Sequence, residues 1–136
     1  DYRQGEYRSI SLFDNILLML TDRVPNQCGM LGSCNMQFVV EADGSVYPCD
    51  FYVLDEYCCG NVVEHSVEEI GNSDGWKRFW EKKNKTERSC EDCPFWKICR
   101  GGCKRQQGSY LWEDGCAYRE FLEYAYPTLQ IIAREI

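Results

Sequence analysis

Apolar positions near the start of the chain recur at helical spacing. Within Ile10–Leu20 they return every three to four residues, which is the repeat of one face of an amphipathic helix. The pattern stops before Pro25, a residue that cannot continue a helix interior. We therefore predict a helix that turns one apolar face to the core, formed by Leu12, Phe13, Ile16, Leu17 and Leu20.

A β-hairpin is predicted in the next part of the chain. Residues 37–42 and 45–48 flank the dipeptide Asp43-Gly44. Asp-Gly is favoured in two-residue hairpin turns because both central positions can take positive φ. Cys34 precedes the first predicted strand and Cys49 follows the second, so we expect both at the open end of the hairpin.

Two shorter helices follow the hairpin. Ser66 and Glu69 have the spacing of a capping box, which predicts the start of a short helix. Three aromatic residues then recur at positions i, i+3 and i+4 of a second helix and are expected in the core: Trp76, Phe79 and Trp80.

The C-terminal segment Tyr118–Ile136 also has a helical pattern, with Phe121, Leu122 and Ala125 on one face. Pro127 lies inside this pattern. Because proline lacks an N–H and clashes with the preceding turn, we expect it to kink or restart the helix.

Composition and charge exclude several partners. The 136 residues carry a formal charge of −7, from 22 acidic and 15 basic side chains that are spread along the chain. An acidic balance of this kind argues against nucleic acid binding. No apolar stretch reaches the ~18 residues of a membrane span, and the N-terminus lacks a signal-peptide pattern. We expect a cytoplasmic protein, and since it starts at Asp1, a piece of a longer chain.

Ten cysteines dominate the candidate chemistry. The run from Cys90 to Cys103 has the spacing C-x2-C-x5-C-x3-C, with Pro94 and the pair Gly101-Gly102 supplying sharp turns. Thiolates at this density are typical of metal or iron–sulfur sites. With His65 as the one histidine, zinc sites would need nearly all-cysteine ligands, and an even cysteine count is also compatible with disulfides.

The cysteine order resembles the SPASM domain, a C-terminal extension of radical S-adenosylmethionine enzymes that modify peptides. A further likeness to the anaerobic sulfatase-maturating branch lies in Tyr47–Tyr57 (YPCDFYVLDEY), followed by Gly60-Asn61. The resemblance covers roughly residues 7–120. It implies an α+β fold: a small cysteine-rich domain with a β-hairpin and several helices wrapped around two metal clusters.

This family resemblance implies two 4Fe–4S clusters, each with four cysteine ligands. The first would be bound by Cys28, Cys34, Cys49 and Cys103, and the second by Cys90, Cys93, Cys99 and Cys116. Cys103 then crosses from its own run to the other cluster, as in two-cluster ferredoxins. Cys58 and Cys59 lie outside this scheme and are interpreted as incidental.

The same resemblance implies three segments within one domain: a helical segment 1–27 that joins a catalytic barrel, the auxiliary cluster domain 28–119, and a C-terminal helix 120–136. The implied partners are the N-terminal radical S-adenosylmethionine barrel of the same parent and a peptide or sulfatase substrate. S-adenosylmethionine itself would bind only the full-length parent, because this sequence has no C-x3-C-x2-C motif. The fragment is therefore not expected to be active alone.

In the branch that the sequence resembles, cysteine or serine of a sulfatase is oxidised to formylglycine, which needs an electron acceptor and a base. The residue that matches the proposed base is Asp50, directly after Cys49. A carboxylate in a partly desolvated pocket has a raised pKa and suits this role. The alternatives are that Asp50 only accepts backbone hydrogen bonds, and that the whole chain is a zinc-stapled docking or structural module without a redox role.

Overall fold

The computed structural model describes residues 4–6, 8–82, 90, 92–113 and 115–136. Its helices are α1 (Ser11–Leu20), α2 (Val67–Gly71), α3 (Asp74–Glu81), α4 (Trp96–Cys99) and α5 (Ala117–Glu135). Its strands are β1 (Val39–Val40), β2 (Ser45–Tyr47), β3 (Gly60–Asn61), β4 (Leu111–Trp112) and β5 (Gly115–Cys116). The strands form an antiparallel sheet in the order β1-β2-β3 and a separate pair β4-β5. The predicted α+β class is confirmed, and no helix of the described residues is long and apolar enough to cross a membrane.

The chain divides into two compact units. The first combines Asp1–Cys34 with Asn84–Ile136, and the second is Asn35–Lys83. The predicted segments 1–27, 28–119 and 120–136 follow a different division of the chain and stay a prediction. The second unit is thus an insertion between the two parts of the first.

The core of the first unit lies between α1 and α5. Ile16 and Leu122 are fully buried, and Leu129 is nearly so. Burial of an aliphatic side chain of this size contributes about 1.5–3 kcal/mol. The predicted N-terminal helix is confirmed, and its other apolar positions pack against this core as partly buried side chains.

A buried asparagine joins α1 to the segment that follows it. Asn15 is only 3% exposed, and its side-chain oxygen accepts hydrogen bonds from the backbone N–H groups of Asn26 and Gln27 at 2.5 and 3.0 Å. Its amide nitrogen donates to the carbonyl oxygen of Ser11 at 2.7 Å. These bonds fix the backbone directly before Cys28.

Helix α5 continues through Pro127 as one element, so the helix does not restart there, and a kink at Pro127 stays a prediction. The proline removes one N–H donor from the helix. Leu122 before it and Leu129 after it are both buried in the same core. Tertiary packing on both sides therefore holds the helix together where local preference would interrupt it.

The second unit contains the predicted hairpin, with Val40 opposite Val46. Its turn differs from the two-residue prediction. The N–H of Glu41 bonds to Ser45 and that of Gly44 to Glu41, which leaves three residues in the loop. Gly44 alone takes a positive φ, +86°, as in a type I turn closed by a glycine bulge. The side chain of Asp43 accepts a hydrogen bond from the N–H of Ser45, which stabilises this form.

The helices of the second unit match their sequence signals. The capping box is present: the Ser66 hydroxyl accepts from the N–H of Glu69, and the Glu69 carboxylate accepts from the N–H of Ser66 at 2.7 Å. Trp76 and Phe79 of α3 are buried as predicted. Trp80 is 43% exposed and lies at the edge of that packing.

Candidate functional site

The cysteine run is shaped by consecutive tight turns. The N–H of Cys93 bonds to the carbonyl of Cys90, and α4 then leads to Cys99. After Cys99 the chain turns sharply through three positive φ values, +50° at Arg100, +84° at Gly101 and +66° at Gly102. The two glycines adopt this conformation without the steric cost that a Cβ would bring. A Cβ at Gly102 would in addition collide with the hydroxyl of Tyr110.

Cys116 reaches the same region from the end of β5. It is the N-cap residue of α5, and its sulfur accepts a hydrogen bond from the backbone N–H of Arg119 at 3.4 Å. The N-terminal end of a helix carries partial positive charge and unpaired N–H groups that point toward the N-cap side chain. The 19-residue helix α5 thus begins at a potential ligand.

Four cysteines line one pocket whose walls are mostly apolar: Cys90, Cys93, Cys99 and Cys116. Phe95, Leu111 and Leu122 are among the wall residues. Burial raises the pKa of the Cys99 thiol to about 11, against the lowering effect of a hydrogen bond from the Gly101 N–H. The nearby charges of Cys116, Cys90 and Cys93 contribute to this rise after burial.

Two tyrosines border this pocket. Tyr110 donates its hydroxyl to the carbonyl oxygen of Gly101 at 3.2 Å. The hydroxyl of Tyr118 is buried and has no hydrogen-bond partner in the described part of the chain. Burial, and then the charges of Cys99 and Cys116, raise the pKa of Tyr118 above its ordinary value.

Three further cysteines gather elsewhere in the first unit. Burial raises the pKa of Cys34; the charge of Lys104 lowers it, and the charges of Cys103 and Cys28 raise it. Cys28 begins a short 3₁₀ turn, and a Cβ on the next residue, Gly29, would lie only 3.1 Å from the Cβ of Cys103. Cys103 therefore stands with Cys28 and Cys34, although it belongs to the run that starts at Cys90.

Cys49 and Asp50 lie in the second unit, directly after the hairpin. The Cys49 thiol donates to Asp50 Oδ1 at 3.3 Å, and the N–H of Phe51 donates to the same oxygen at 3.1 Å. Asp50 is exposed and begins a 3₁₀ turn, Asp50–Tyr52. The carboxylate thus accepts a backbone hydrogen bond, as expected if Asp50 is only structural. It also contacts a cysteine sulfur directly, which that alternative does not require.

Cys58 and Cys59 have different environments. Cys58 is exposed, whereas Cys59 is 4% exposed and packs in an apolar cluster with Val46, Ile70 and Trp76. The Cys59 thiol donates to the carbonyl of Tyr57 at 3.3 Å. Its environment is that of a core side chain.

All ten cysteines are free thiols in this structure. Among the described residues, no group of three or more Cys, His, Asp and Glu side chains converges in a way that could hold a metal ion. The cysteines of the pocket instead surround a shared space. Four soft sulfur donors around such a space suit zinc or an iron–sulfur cluster in their chemistry.

Comparison with known proteins identifies the domain. Residues 28–94 match the family model SPASM, described as an iron–sulfur cluster-binding domain. This chain contains a SPASM domain. The match begins at Cys28 and includes Cys90 and Cys93, so it spans residues of both cysteine groups.

The curated proteins that are similar to this chain include anaerobic sulfatase-maturating enzymes. The cysteine-type enzyme of Clostridium perfringens (strain 13) is 40% identical over 144 residues, which cover 100% of this chain and 38% of the relative. The serine-type enzyme of Bacteroides thetaiotaomicron is 27% identical over 136 residues, covering 93% of this chain and 33% of the relative. This chain thus spans little more than a third of the length of these relatives.

Solved structures agree with this kinship. A structure described as native anSMEcpe with bound AdoMet and Kp18Cys peptide superposes with a TM-score of 0.82 and is 38% identical. The match covers 100% of this chain and 39% of that one. A structure of the histidine-tagged form of anSMEcpe with bound AdoMet gives a TM-score of 0.83, and the match covers 100% of this chain and 37% of that one.

Sequence reasoning did not find the two tyrosines of the pocket. A signal for Tyr118 was present, since it lies two residues after Cys116 at the start of a helical pattern. Nothing local marks Tyr110, because its place beside Gly101 depends on how the chain folds back after Cys103.

Proposed function

We propose that this chain is the auxiliary cluster-binding part of an anaerobic sulfatase-maturating enzyme. It would bind two 4Fe–4S clusters, pass electrons and help to bind the sulfatase peptide, while its parent's N-terminal barrel would bind S-adenosylmethionine. The observation that carries the proposal is the pocket lined by four cysteines in a chain that matches SPASM. The 40% identity with a sulfatase-maturating enzyme supports the choice of reaction.

The first unit supplies cysteine sulfurs, the ligands that 4Fe–4S clusters require. Cys90, Cys93, Cys99 and Cys116 would bind one cluster within apolar walls, which exclude water from it. A bound cluster supplies one-electron redox chemistry, with a potential that depends on hydrogen bonds and burial. The sharp turn through Gly101 and Gly102 keeps the backbone close to this space without side chains that would fill it.

The other cluster would be bound by Cys28, Cys34 and Cys103, with Cys49 as the fourth ligand. The charges of Cys103 and Cys28 both raise the pKa of Cys34, which indicates that the three sulfurs lie close together and supports this ligand set. The assignment of Cys49 rests on its position in the family pattern.

We infer that Asp50 acts as the base, from its contact with the proposed ligand Cys49. A cysteine that binds metal has lost its thiol proton. Cys49 could then no longer donate to Asp50 Oδ1, where its thiol now lies at 3.3 Å. That oxygen would be available for a proton from the thiol or hydroxyl of the substrate, and the Phe51 N–H would still orient the carboxylate.

The proposed parent works on a cysteine or serine side chain of a sulfatase peptide in the cytoplasm, where thiols stay reduced. The relatives include both a cysteine-type and a serine-type enzyme, and the higher identity is with the cysteine type. A cysteine-containing peptide is therefore the first substrate to test.

Iron analysis tests the proposal. The chain, purified without oxygen and supplied with iron and sulfide, should bind about eight irons and a matching amount of sulfide per molecule. A quadruple Ala variant at Cys90, Cys93, Cys99 and Cys116 should lose about half of this iron. A colourless protein that binds two zinc ions and no iron under the same conditions would support the structural-module alternative and contradict the proposal.

A further inference from the structure

The hydroxyl of Tyr118 is a buried polar group that has no hydrogen-bond partner among the residues that the structure describes. Its atom is shielded from solvent and forms no hydrogen bond within the described residues. Buried hydroxyls are nearly always paired, because burying one without a hydrogen bond loses its interaction with water. An unpaired hydroxyl of this kind indicates that its acceptor is a group outside the described residues.

The position of this hydroxyl indicates where that acceptor lies. Tyr118 lines the pocket together with Cys90, Cys93, Cys99 and Cys116. It stands on the first turn of α5, two residues after Cys116. Any group that fills the space between the four sulfurs is therefore a neighbour of Tyr118.

Packing fixes the direction of the Tyr118 ring. The ring stacks on Phe121 with centroids 6.0 Å apart and planes 17° from parallel. On another side it meets the ring of Tyr110 at 6.1 Å. Phe121 is itself in contact with Phe13 of α1, with centroids 5.9 Å apart. The ring is thus packed between Phe121 of its own helix and Tyr110, and α1 in turn packs against Phe121 through Phe13.

Tyr110 provides a contrast within the same pocket. Its hydroxyl already donates to the carbonyl of Gly101 at 3.2 Å. A tyrosine hydroxyl has one proton to donate. Tyr118 is consequently the tyrosine of this pair whose donor is still available to a bound group.

We propose that Tyr118 donates a hydrogen bond to a sulfur of the cluster that Cys90, Cys93, Cys99 and Cys116 would bind, and so raises its reduction potential. This inference rests on the proposed function and adds a residue that tunes one cluster. A hydrogen bond to sulfur stabilises the more negative, reduced state of a cluster. The tuned cluster is then a better acceptor for the electron that substrate oxidation releases.

The test is a redox titration of the full-length parent, followed by electron paramagnetic resonance. The cluster concerned is identified as the one whose signal disappears in Cys116→Ala. In Tyr118→Phe we expect its reduction equilibrium constant to fall about tenfold, the size of effect expected for one hydrogen bond. For a one-electron couple this is a midpoint potential about 59 mV more negative. Iron content should equal that of the unmodified parent.

Two tyrosine variants serve as controls. Tyr124→Phe lies on the same helix, 89% exposed, and should leave the potential unchanged. Tyr110→Phe removes a hydroxyl that is paired with the chain, and should have a clearly smaller effect than Tyr118→Phe. Equal shifts in Tyr110→Phe and Tyr118→Phe would assign the effect to general pocket polarity and overturn the proposal.

A second substitution covers the case in which the Phe variant does not take up iron. Replacing Tyr118 with 3-fluorotyrosine makes the hydroxyl a stronger donor and should move the potential in the positive direction. An unchanged potential in this protein, or in an iron-loaded Tyr118→Phe protein, would refute the role of Tyr118. A parent whose unmodified form binds no iron in this pocket would instead refute the proposed function, so the two failures are distinct.

Discussion

At the residue scale, Asp50 combines exposure with a contact to a potential ligand. It lies one residue after Cys49, and the N–H of Phe51 fixes its carboxylate. Cys58 and Cys59, which we predict not to be ligands, differ from Asp50 and from each other in their surroundings. One of the two is exposed and the other belongs to an apolar core. Residue type alone therefore does not define the site.

We predict that Asp50→Asn in the full-length parent slows peptide oxidation by about 10²–10⁴-fold, the usual contribution of a general base. Asn keeps the shape of the side chain but cannot take a proton at neutral pH. Cleavage of S-adenosylmethionine and the iron content should both persist. Turnover of a cysteine-containing sulfatase peptide, measured by mass spectrometry, checks the outcome.

Asp74→Asn is a suitable control for this measurement. Asp74 is exposed and pairs with Lys77 at 3.2 Å on the surface, where such pairs contribute little to stability. Near-normal turnover in Asp50→Asn would show that Asp50 is structural. Loss of iron would reassign it to holding the segment around Cys49.

At the element scale, the turn after α4 directs the chain from one cysteine group to the other. Cys99 precedes three residues with positive φ, and Cys103 follows them. The N–H of Gly102 bonds to the carbonyl of Cys99 at 2.8 Å, which closes the turn. Residues four positions apart thus point to different groups because of one short backbone conformation.

We predict that Gly102→Ala lowers both iron uptake and thermal stability. A non-glycine residue at this φ costs about 1–2 kcal/mol, and the new Cβ would also collide with the Tyr110 hydroxyl. Gly108→Ala is the matched control, because a Cβ there meets nothing within 4 Å and its φ is not positive. Iron analysis and anaerobic thermal unfolding compare the two variants, and equal behaviour would contradict the prediction.

At the scale of the whole molecule, the inserted unit Asn35–Lys83 separates the cysteines of the first unit into two stretches of sequence. Cys28 and Cys34 come before the insertion, and the run from Cys90 comes after it. The chain must therefore fold back over a long distance before Cys103 can join Cys28 and Cys34. Closing such a loop costs conformational entropy, which the α1–α5 core and a bound cluster would both offset.

We predict that Cys103→Ala removes about half of the bound iron, because it takes one ligand from the cluster assigned to Cys28, Cys34 and Cys49. The double variant Cys58→Ser, Cys59→Ala should keep all of its iron. Its thermal stability should fall slightly, because Cys59 fills space in the core of the second unit. Iron and sulfide analysis of both proteins checks these two expectations. Loss of iron from the double variant would mean that the ligand assignment is wrong.

The sequence by itself determined the local features of this protein. Helix α1, the position of the hairpin and the capping box at Ser66 follow from periodicity and from hydrogen bonds that act over three or four residues. The cysteine spacing and the family likeness likewise needed no coordinates. The tertiary structure alone decided three further features: the three-residue turn at Gly44, the unbroken helix at Pro127, and the burial of Tyr118 beside Cys99 and Cys116. The helix and the burial of Tyr118 depend on packing between distant segments, which overrides local preference. At the turn, hydrogen bonds from β3 and the residue after it add to the local ones: the Asn61 side chain donates to the carbonyl of Asp43, and the N–H of Val62 donates to that of Gly44.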